Sequence, residues 1–307
     1  MIAAITGANG FIGGHLVRRF AAAGWEARPV VRSDFHTGAV AACFADADVV
    51  VHAAGATRAP SHAALRASNV DLTQSALSAA AAARVKRFVY VSSQAAAGPA
   101  SSLDQPITEL DVPAPVEAYG RSKLEAEGVV RASVAVPWVI VRPGAVYGPA
   151  DRDFLALFKL ATRRVAIHPA SRAQWISVIH VDDLASGIIA ASMATAAIRQ
   201  TFFLANNHPV QWSDVFQLAA RCAGTSLVLD LEVPQIMVTA GAAVGDLFAR
   251  VTGNAPLLTT DKIALGKPPF WICSSKHAEN ILRFATPTVL QDGLCATYHW
   301  YLANHWL

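Results

Sequence analysis

Tyr119 and Lys123 stand four residues apart in AYGRSKLEAE (118–127), a stretch with the composition of a helix. That spacing puts both side chains on one helical face. Ser93 closes the strand-like run RFVYVSS (87–93), 26 residues before the tyrosine. A phenol with an ordinary pKa of ~10 is a poor base at neutral pH, and moving it to ~7 takes roughly 4 kcal/mol of preference for the phenolate. An ammonium one turn away supplies part of that preference. A serine hydroxyl can hydrogen-bond the oxygen on which charge develops. Together these residue types suit acid–base catalysis of hydride transfer at a carbinol or carbonyl carbon. The bland alternative is a surface tyrosine beside an unrelated lysine.

Hydride transfer needs a carrier, and TGANGFIGGHL (6–16) has the form of a nucleotide loop. Gly7, Gly10 and Gly13 recur every three residues directly after the first predicted strand, IAAIT (2–6). A turn that tight uses glycine's tolerance of positive φ. A pyrophosphate can then approach bare backbone at the positive end of the next helix. Asn9, Phe11 and Ile12 complete the expected cradle. The second strand, EARPVVR (26–32), ends in Arg32 and Ser33, and an acid appears only at Asp34. An acid at this strand end accepts from the ribose hydroxyls of NAD, whereas a cation pairs with the 2′-phosphate of NADP. Arg32 therefore favours NADP, with NAD as the alternative.

The elements that must hold these residues alternate along the first half. Apolar runs at 2–6, 26–32, 47–54, 87–93 and 137–143 are separated by predicted helices at 11–23, 69–83 and 117–132. Unbroken Val/Ile runs suit strands buried on both faces. The expected fold is α/β: a Rossmann-type doubly wound parallel sheet with a smaller C-terminal substrate-binding cap. The dinucleotide-binding domain is expected over 1–148, with 177–206 returning to it, and the cap over 149–176 and 207–307. Only 14 residues separate Arg32 from Ala47, too few for helix, strand and second helix, so one strand common in such folds is expected to be missing.

The chain has 307 residues, 53% of them apolar and 15% charged, with a net charge of +3. This is ample core material, and no Lys/Arg cluster interleaved with aromatics suggests a nucleic-acid groove. Cys43, Cys222, Cys273 and Cys295 lack metal-ligand spacing and are expected as free thiols in a reducing cytoplasm. No signal sequence or membrane span is expected, though a peripheral membrane contact by 234–252 is weighed. His52, His168 and His180 show no metal spacing. His180 is expected to be structural, and Asp183 to cap the helix of 183–196.

TGANGFIG, YGRSK and their arrangement resemble the extended short-chain dehydrogenase/reductase family, which includes nucleotide-sugar epimerases and dehydratases. The resemblance implies a Ser93–Tyr119–Lys123 triad supported by Asn69 in SNVDLT. It also places Ala53, Ala54 and Gly55 of VVVHAAG beside the nicotinamide, and Pro143 of VRPGAVYGP in the loop after the catalytic elements. Tyr119 and Lys123 would contact the cofactor too. Ala145 stands where nucleotide-sugar members carry Asn, and Ile176 where they tend to carry Arg. Arg163, Arg164 and Arg172 are possible substitutes or simply an exposed basic loop. Gln94 and Ala95 replace the Asp-Glu pair of dehydratases. The remaining likeness is to the reductase branch, which includes 3β-hydroxysteroid dehydrogenase-like enzymes. The expected activity is NADP-preferring reduction of a ketone, or oxidation of an alcohol, on a small apolar substrate. Rival readings are a nucleotide-sugar epimerase with tightly held NAD, and a non-catalytic cofactor sensor. Trp212, Phe248, Phe270 and Trp271 line the pocket or form the cap core. The resemblance also implies a homodimer through 69–83 and 117–132.

Overall fold

A computed structural model describes residues 1–168, 173–226, 229–233, 238–243, 245 and 260–307. Its first ten strands are β1 (Ile2–Thr6), β2 (Glu26–Val30), β3 (Val49–His52), β4 (Arg87–Val91), β5 (Trp138–Pro143), β6 (Ala145–Tyr147), β7 (Val165–His168), β8 (Trp175–Ile176), β9 (Val178–His180) and β10 (Gln200–Leu204). The larger helices of the first half are α1 (Phe11–Ala22), α2 (Arg32–Thr37), α3 (Val40–Phe44), α4 (His62–Arg66), α5 (Leu72–Ala82) and α6 (Ala118–Arg131). A π-helical turn, Ala67–Asp71, joins α4 to α5. Further on lie α7 (Asp153–Thr162), α8 (Val181–Met193), α9 (Trp212–Cys222), α10 (Thr260–Gly266), α11 (Lys276–Leu282) and α12 (Leu290–Ala303).

Six strands form one sheet in the order β10-β5-β4-β3-β1-β2, with every adjacent pair parallel. Every residue of β3, β4 and β5 is buried, as their unbroken apolar runs require. Alternate residues feed two cores. Val49, Val51, Val89 and Val139 pack with Leu16 and Phe20 of α1 and Ile188 of α8. Val50, Phe88, Tyr90 and Ile140 pack on the opposite face with Leu77 of α5 and Val130 of α6. The chain leaves β1 toward β2 and then crosses back to β3, so a crevice opens at the ends of β1 and β3.

Two short helices, α2 and α3, fill the interval after Arg32, and β2 is the sheet edge. The expected missing strand is indeed absent. β2 stops at Val30, two residues earlier than its apolar run suggested, because Asp34 Oδ2 accepts the Val31 N–H at 2.7 Å and turns the chain into α2.

A third core joins Tyr147, Phe158, Ile176 and Phe216 to Leu294 and Tyr301 of α12, with Trp212 and Trp271 packed against it. Phe270 is half-buried, and Phe248 lies outside the described residues, as do most of 234–252. Part of the segment expected in the cap packs on the sheet: Ala278 and Leu282 of α11 belong to the α1/α8 core.

Two expectations are corrected. Cys222 and Cys295 form a disulfide with Cα atoms 4.9 Å apart, so only Cys43 and Cys273 are free. The packing of α9 on α12 brings them together across a separation of 73 residues, which their spacing did not signal. Helix α8 is capped not by Asp183 but by His180, whose Nδ1 accepts the Asp182 N–H. Asp183 instead accepts from Thr288 Oγ1 at 2.9 Å and from its N–H at 3.2 Å, tying α8 to the chain before α12. Arg164 bonds Ser226, Arg163 is exposed, and Arg172 lies outside the described residues. Among the described residues no helix is long and apolar enough to cross a membrane.

Candidate active site

The glycine loop leaves β1 at Gly7, whose φ of +72° is left-handed. A Cβ there would lie 2.8 Å from the Ala54 nitrogen, so the loop presses on the end of β3. At Gly13 a Cβ would stand 2.1 Å from Gly7 O, and only glycine lets α1 start so close to the turn. Beside this contact opens a cavity of about 220 Å³. Gly7, Asn9, Gly10 and Arg32 line it with Ala53, Ala54 and Gly55. Its apolar walls are Val31, Phe35 and Leu72, which the sequence reading did not single out. A run of small residues facing a glycine-rich loop is what a dinucleotide cradle requires, and the residues present fit one. Phe11, Ile12 and Gly13 form the first turn of α1, while exposed Ser33 and buried Pro143 lie outside the cavity lining.

Helix α6 begins where it does because Glu117 caps it, accepting the Tyr119 and Gly120 N–H groups at 2.7 and 2.6 Å. Asp261 of α10 accepts the Ala118 N–H at 2.7 Å and pairs with Arg121 at 2.8 Å. The helix lies against the 3₁₀ turn Gln94–Ala96 that follows Ser93. Tyr119 is thereby brought near Ser93, whose Oγ accepts the Ala95 N–H at 3.1 Å. Burial pushes the Tyr119 phenol up to about 12, and the neighbouring Ser93 hydroxyl opposes the shift. Glu117 and Asp153 add to the rise.

Lys123 is buried, donates to Val91 O at 2.7 Å and lies 4.3 Å above the Tyr90 ring centroid. Burial pulls its ammonium down to about 7, against the charge of Glu127. These shifts run opposite to the expected balance, in which a lysine makes the phenol acidic. Burial disfavours both charged forms, so the phenol keeps its proton and the amine readily gives one up.

Asn69 sits in the π-helical turn, 1% exposed. Its Oδ1 accepts the Ala56 N–H at 2.8 Å, and Nδ2 donates to Ala56 O and to Ser122 Oγ. It thus pins the loop after β3 to α6. His52, held near neutrality by burial that lowers its pKa to about 3, lies between Thr6 Oγ1 (2.8 Å) and Thr73 Oγ1 (3.1 Å). Thr73 donates to Asn69 O, and Thr6 accepts the Ala54 N–H. This chain couples the glycine loop to the asparagine turn.

Beneath Ser93, Glu127 accepts Arg142 Nε at 2.9 Å and a terminal Arg142 nitrogen at 2.7 Å, and Ser92 Oγ at 2.6 Å. Both charges are buried. The fork ties α6 to β5 and to the end of β4, which fixes how Tyr119 and Lys123 sit relative to Ser93. An arginine inside the apolar run WVIVRP was the available signal.

Residues 3–203 match the NAD dependent epimerase/dehydratase family. The chain is 32% identical to the ceramide reductase of Caulobacter vibrioides (strain NA1000 / CB15N), over all of this chain and 96% of that one. It is 26% identical to the 4-hydroxy-2-methyl-3-oxo-4-farnesyl-3,4-dihydroquinoline-1-oxide ketoreductase of Stigmatella aurantiaca, over 95% and 94% of the two chains. The UDP-glucuronic acid 4-epimerase of Bacillus cereus, solved with UDP-glucuronic acid and NAD, superposes with a TM-score of 0.80 at 20% identity, over 99% of this chain and all of that one. The chain belongs to the NAD dependent epimerase/dehydratase family and is an NAD(P)-dependent oxidoreductase of the extended short-chain dehydrogenase/reductase type.

Proposed function

We propose that the protein reduces a ketone on an apolar, lipid-like substrate and uses NADPH. The observation that carries this reading is Tyr119 held near Ser93, with a phenol that burial keeps protonated at neutral pH. A protonated tyrosine is a general acid, the group a carbonyl reduction needs. Ser93 orients the carbonyl oxygen, and Tyr119 delivers a proton to it. Lys123 and Asn69 hold the floor of the site beside Gly55. The dinucleotide, when bound, supplies the hydride. Gly7, Asn9, Gly10, Phe11, Ile12 and Gly13 would cradle its phosphates, and Ala53, Ala54 and Gly55 its nicotinamide half.

Preference for NADP rests on two side chains. Arg32 is exposed at the cavity wall and makes no ion pair among the described residues. Asp34, the nearest acid, is turned back onto the Val31 N–H. The apolar substrate class follows the likeness to the ceramide reductase. Exposed polar and small residues on α5 and α6 are compatible with a homodimer through those helices.

The test is an NADPH-oxidation screen over acyl, steroid and aromatic ketones, with NADH in parallel. Turnover that Tyr119→Phe reduces by about 10²-fold or more supports the reading. A second reading, epimerisation of a nucleotide sugar, draws on the fold likeness to the UDP-glucuronic acid 4-epimerase. NAD retained through purification, with no NADPH turnover, would favour it.

A further inference from the structure

Between the nucleotide cavity and α6 runs an unbroken line of hydrogen bonds, and its members dictate where each hydrogen sits. Thr6, His52 and Thr73 are fully buried and Asn69 nearly so, which leaves bulk water no place in the line. A hydroxyl carries one hydrogen. Thr73 gives its hydrogen to Asn69 O at 2.6 Å, so toward His52 it can only accept, and the ring proton must be on Nε2. Burial keeps the ring neutral, which leaves Nδ1 bare to accept from Thr6 Oγ1 at 2.8 Å. Thr6 in turn accepts the Ala54 N–H at 3.1 Å. The opposite tautomer would set a bare Nε2 against a bare hydroxyl oxygen and leave the Thr6 hydrogen no acceptor in the line.

Both ends of the line reach functional groups. At one end Ala54 lines the nucleotide cavity, pressed by the glycine loop at Gly7. At the other, Asn69 Nδ2 donates to Ser122 Oγ at 2.8 Å, and Ser122 Oγ donates to the backbone oxygen of Tyr119 at 2.7 Å. The central ring cannot swing freely. His52 lies opposite Tyr90 in the β3–β4 register and stacks on Phe88 and Tyr90, with centroids 5.7 and 5.9 Å away.

We propose that His52 is a positioning residue, locked as its Nε2–H tautomer, that makes the nucleotide wall and the start of α6 one rigid unit. A seated dinucleotide and the Tyr119 hydroxyl then keep a fixed relation. This role rests on the reductase reading of the site, in which hydride and proton arrive at neighbouring atoms of one carbonyl. Misplacement there costs rate more than affinity.

The first test is independent of turnover. In ¹⁵N-histidine-labelled protein the His52 ring, assigned by its absence from His52→Gln, should show a protonated Nε2 and a bare Nδ1 at neutral pH. Its signals should move when NADPH or NADH saturates the protein. An Nδ1–H ring, a charged ring, or signals indifferent to both nucleotides would overturn the assignment. The second test is kinetic and uses the ketone turned over fastest in the NADPH-oxidation screen. His52→Phe keeps a stacked ring and removes both nitrogens. With the fold confirmed by circular dichroism, its kcat should fall by about 10-fold or more while the ketone KM stays within about 2-fold. His52→Gln, whose amide sets an acceptor beside a donor, should recover part of that loss. Thr73→Val should lower kcat in the wild-type background and change little once His52 is Phe. Losses that multiply, or a His52→Gln protein no better than His52→Phe, would reduce His52 to core packing. A wild type that binds nucleotide but reduces no ketone overturns the reductase reading, and the ring's tautomer and nucleotide response still decide the role of His52.

Discussion

The carbonyl oxygen of Ala95 lies 2.3 Å from the point where Gly120 would carry a Cβ. Helix α6 can therefore approach the turn after Ser93 only because residue 120 has no side chain. Gly120→Ala must push the helix and the turn apart, and overpacking of this kind costs about 1–3 kcal/mol. It should lower Tm modestly and ketone turnover far more, because Tyr119 is carried away from Ser93. NADPH affinity, measured by fluorescence quenching, should stay close to wild type. Normal turnover in a folded Gly120→Ala protein would show that the close approach has no part in placing the tyrosine.

Lys123 gives a pH signature. Its pKa falls from the ordinary 10.5 to about 7 on folding. Between those values the unfolded chain binds the proton and the folded chain does not, so stability from this group rises as pH rises from about 7 toward 10. Thermal melts should show wild type gaining on Lys123→Met over pH 7–9. Parallel curves for the two proteins would contradict the burial of this amine.

The Glu127–Arg142 fork should respond asymmetrically. Glu127→Gln leaves the buried Arg142 charge alone and should cost about 3–5 kcal/mol in urea unfolding. Arg142→Met should cost less, because Glu127 keeps its ion pair with Arg131 at 2.9 Å. The double variant should be less damaged than the sum, because no orphaned charge remains.

Arg32→Ala should weaken NADPH binding by about 10-fold or more, since a guanidinium matches a phosphate through paired, charge-assisted hydrogen bonds. NADH binding should change little. Titration of both nucleotides checks this, and an equal effect on each would remove Arg32 as a selector.

The Cys222–Cys295 bond closes a loop of about 73 residues. In the chain-entropy picture such a closure is worth about 4 kcal/mol at most. Cys222→Ser, or incubation with a strong reductant, should lower Tm by several degrees. An unchanged Tm would mean that the packing of α12 on α9 suffices without the bond.

Much of this architecture was legible because it is local. Apolar runs such as VVVH and WVIVRP announce strands covered on both faces, and Gly7, Gly10 and Gly13 mark the turn that β1 feeds. Tyr119 and Lys123 share a face through helical periodicity alone. What stayed hidden joins residues far apart in the chain. Arg58 meets Asp153 across 95 residues, and Asp261 reaches Ala118 across 143. No periodicity encodes such a meeting. The acidity of Tyr119 was misjudged for a related reason: charge can be counted along a sequence, but desolvation depends on how deeply packing buries the group.

The sheet stops at β2, and only the short helices α2 and α3 stand beyond it. A nucleotide base resting near Phe35 and Leu72 would have water on its outer flank. Loose tenancy follows: the carrier would come and go with every catalytic cycle, behaving as a second reactant.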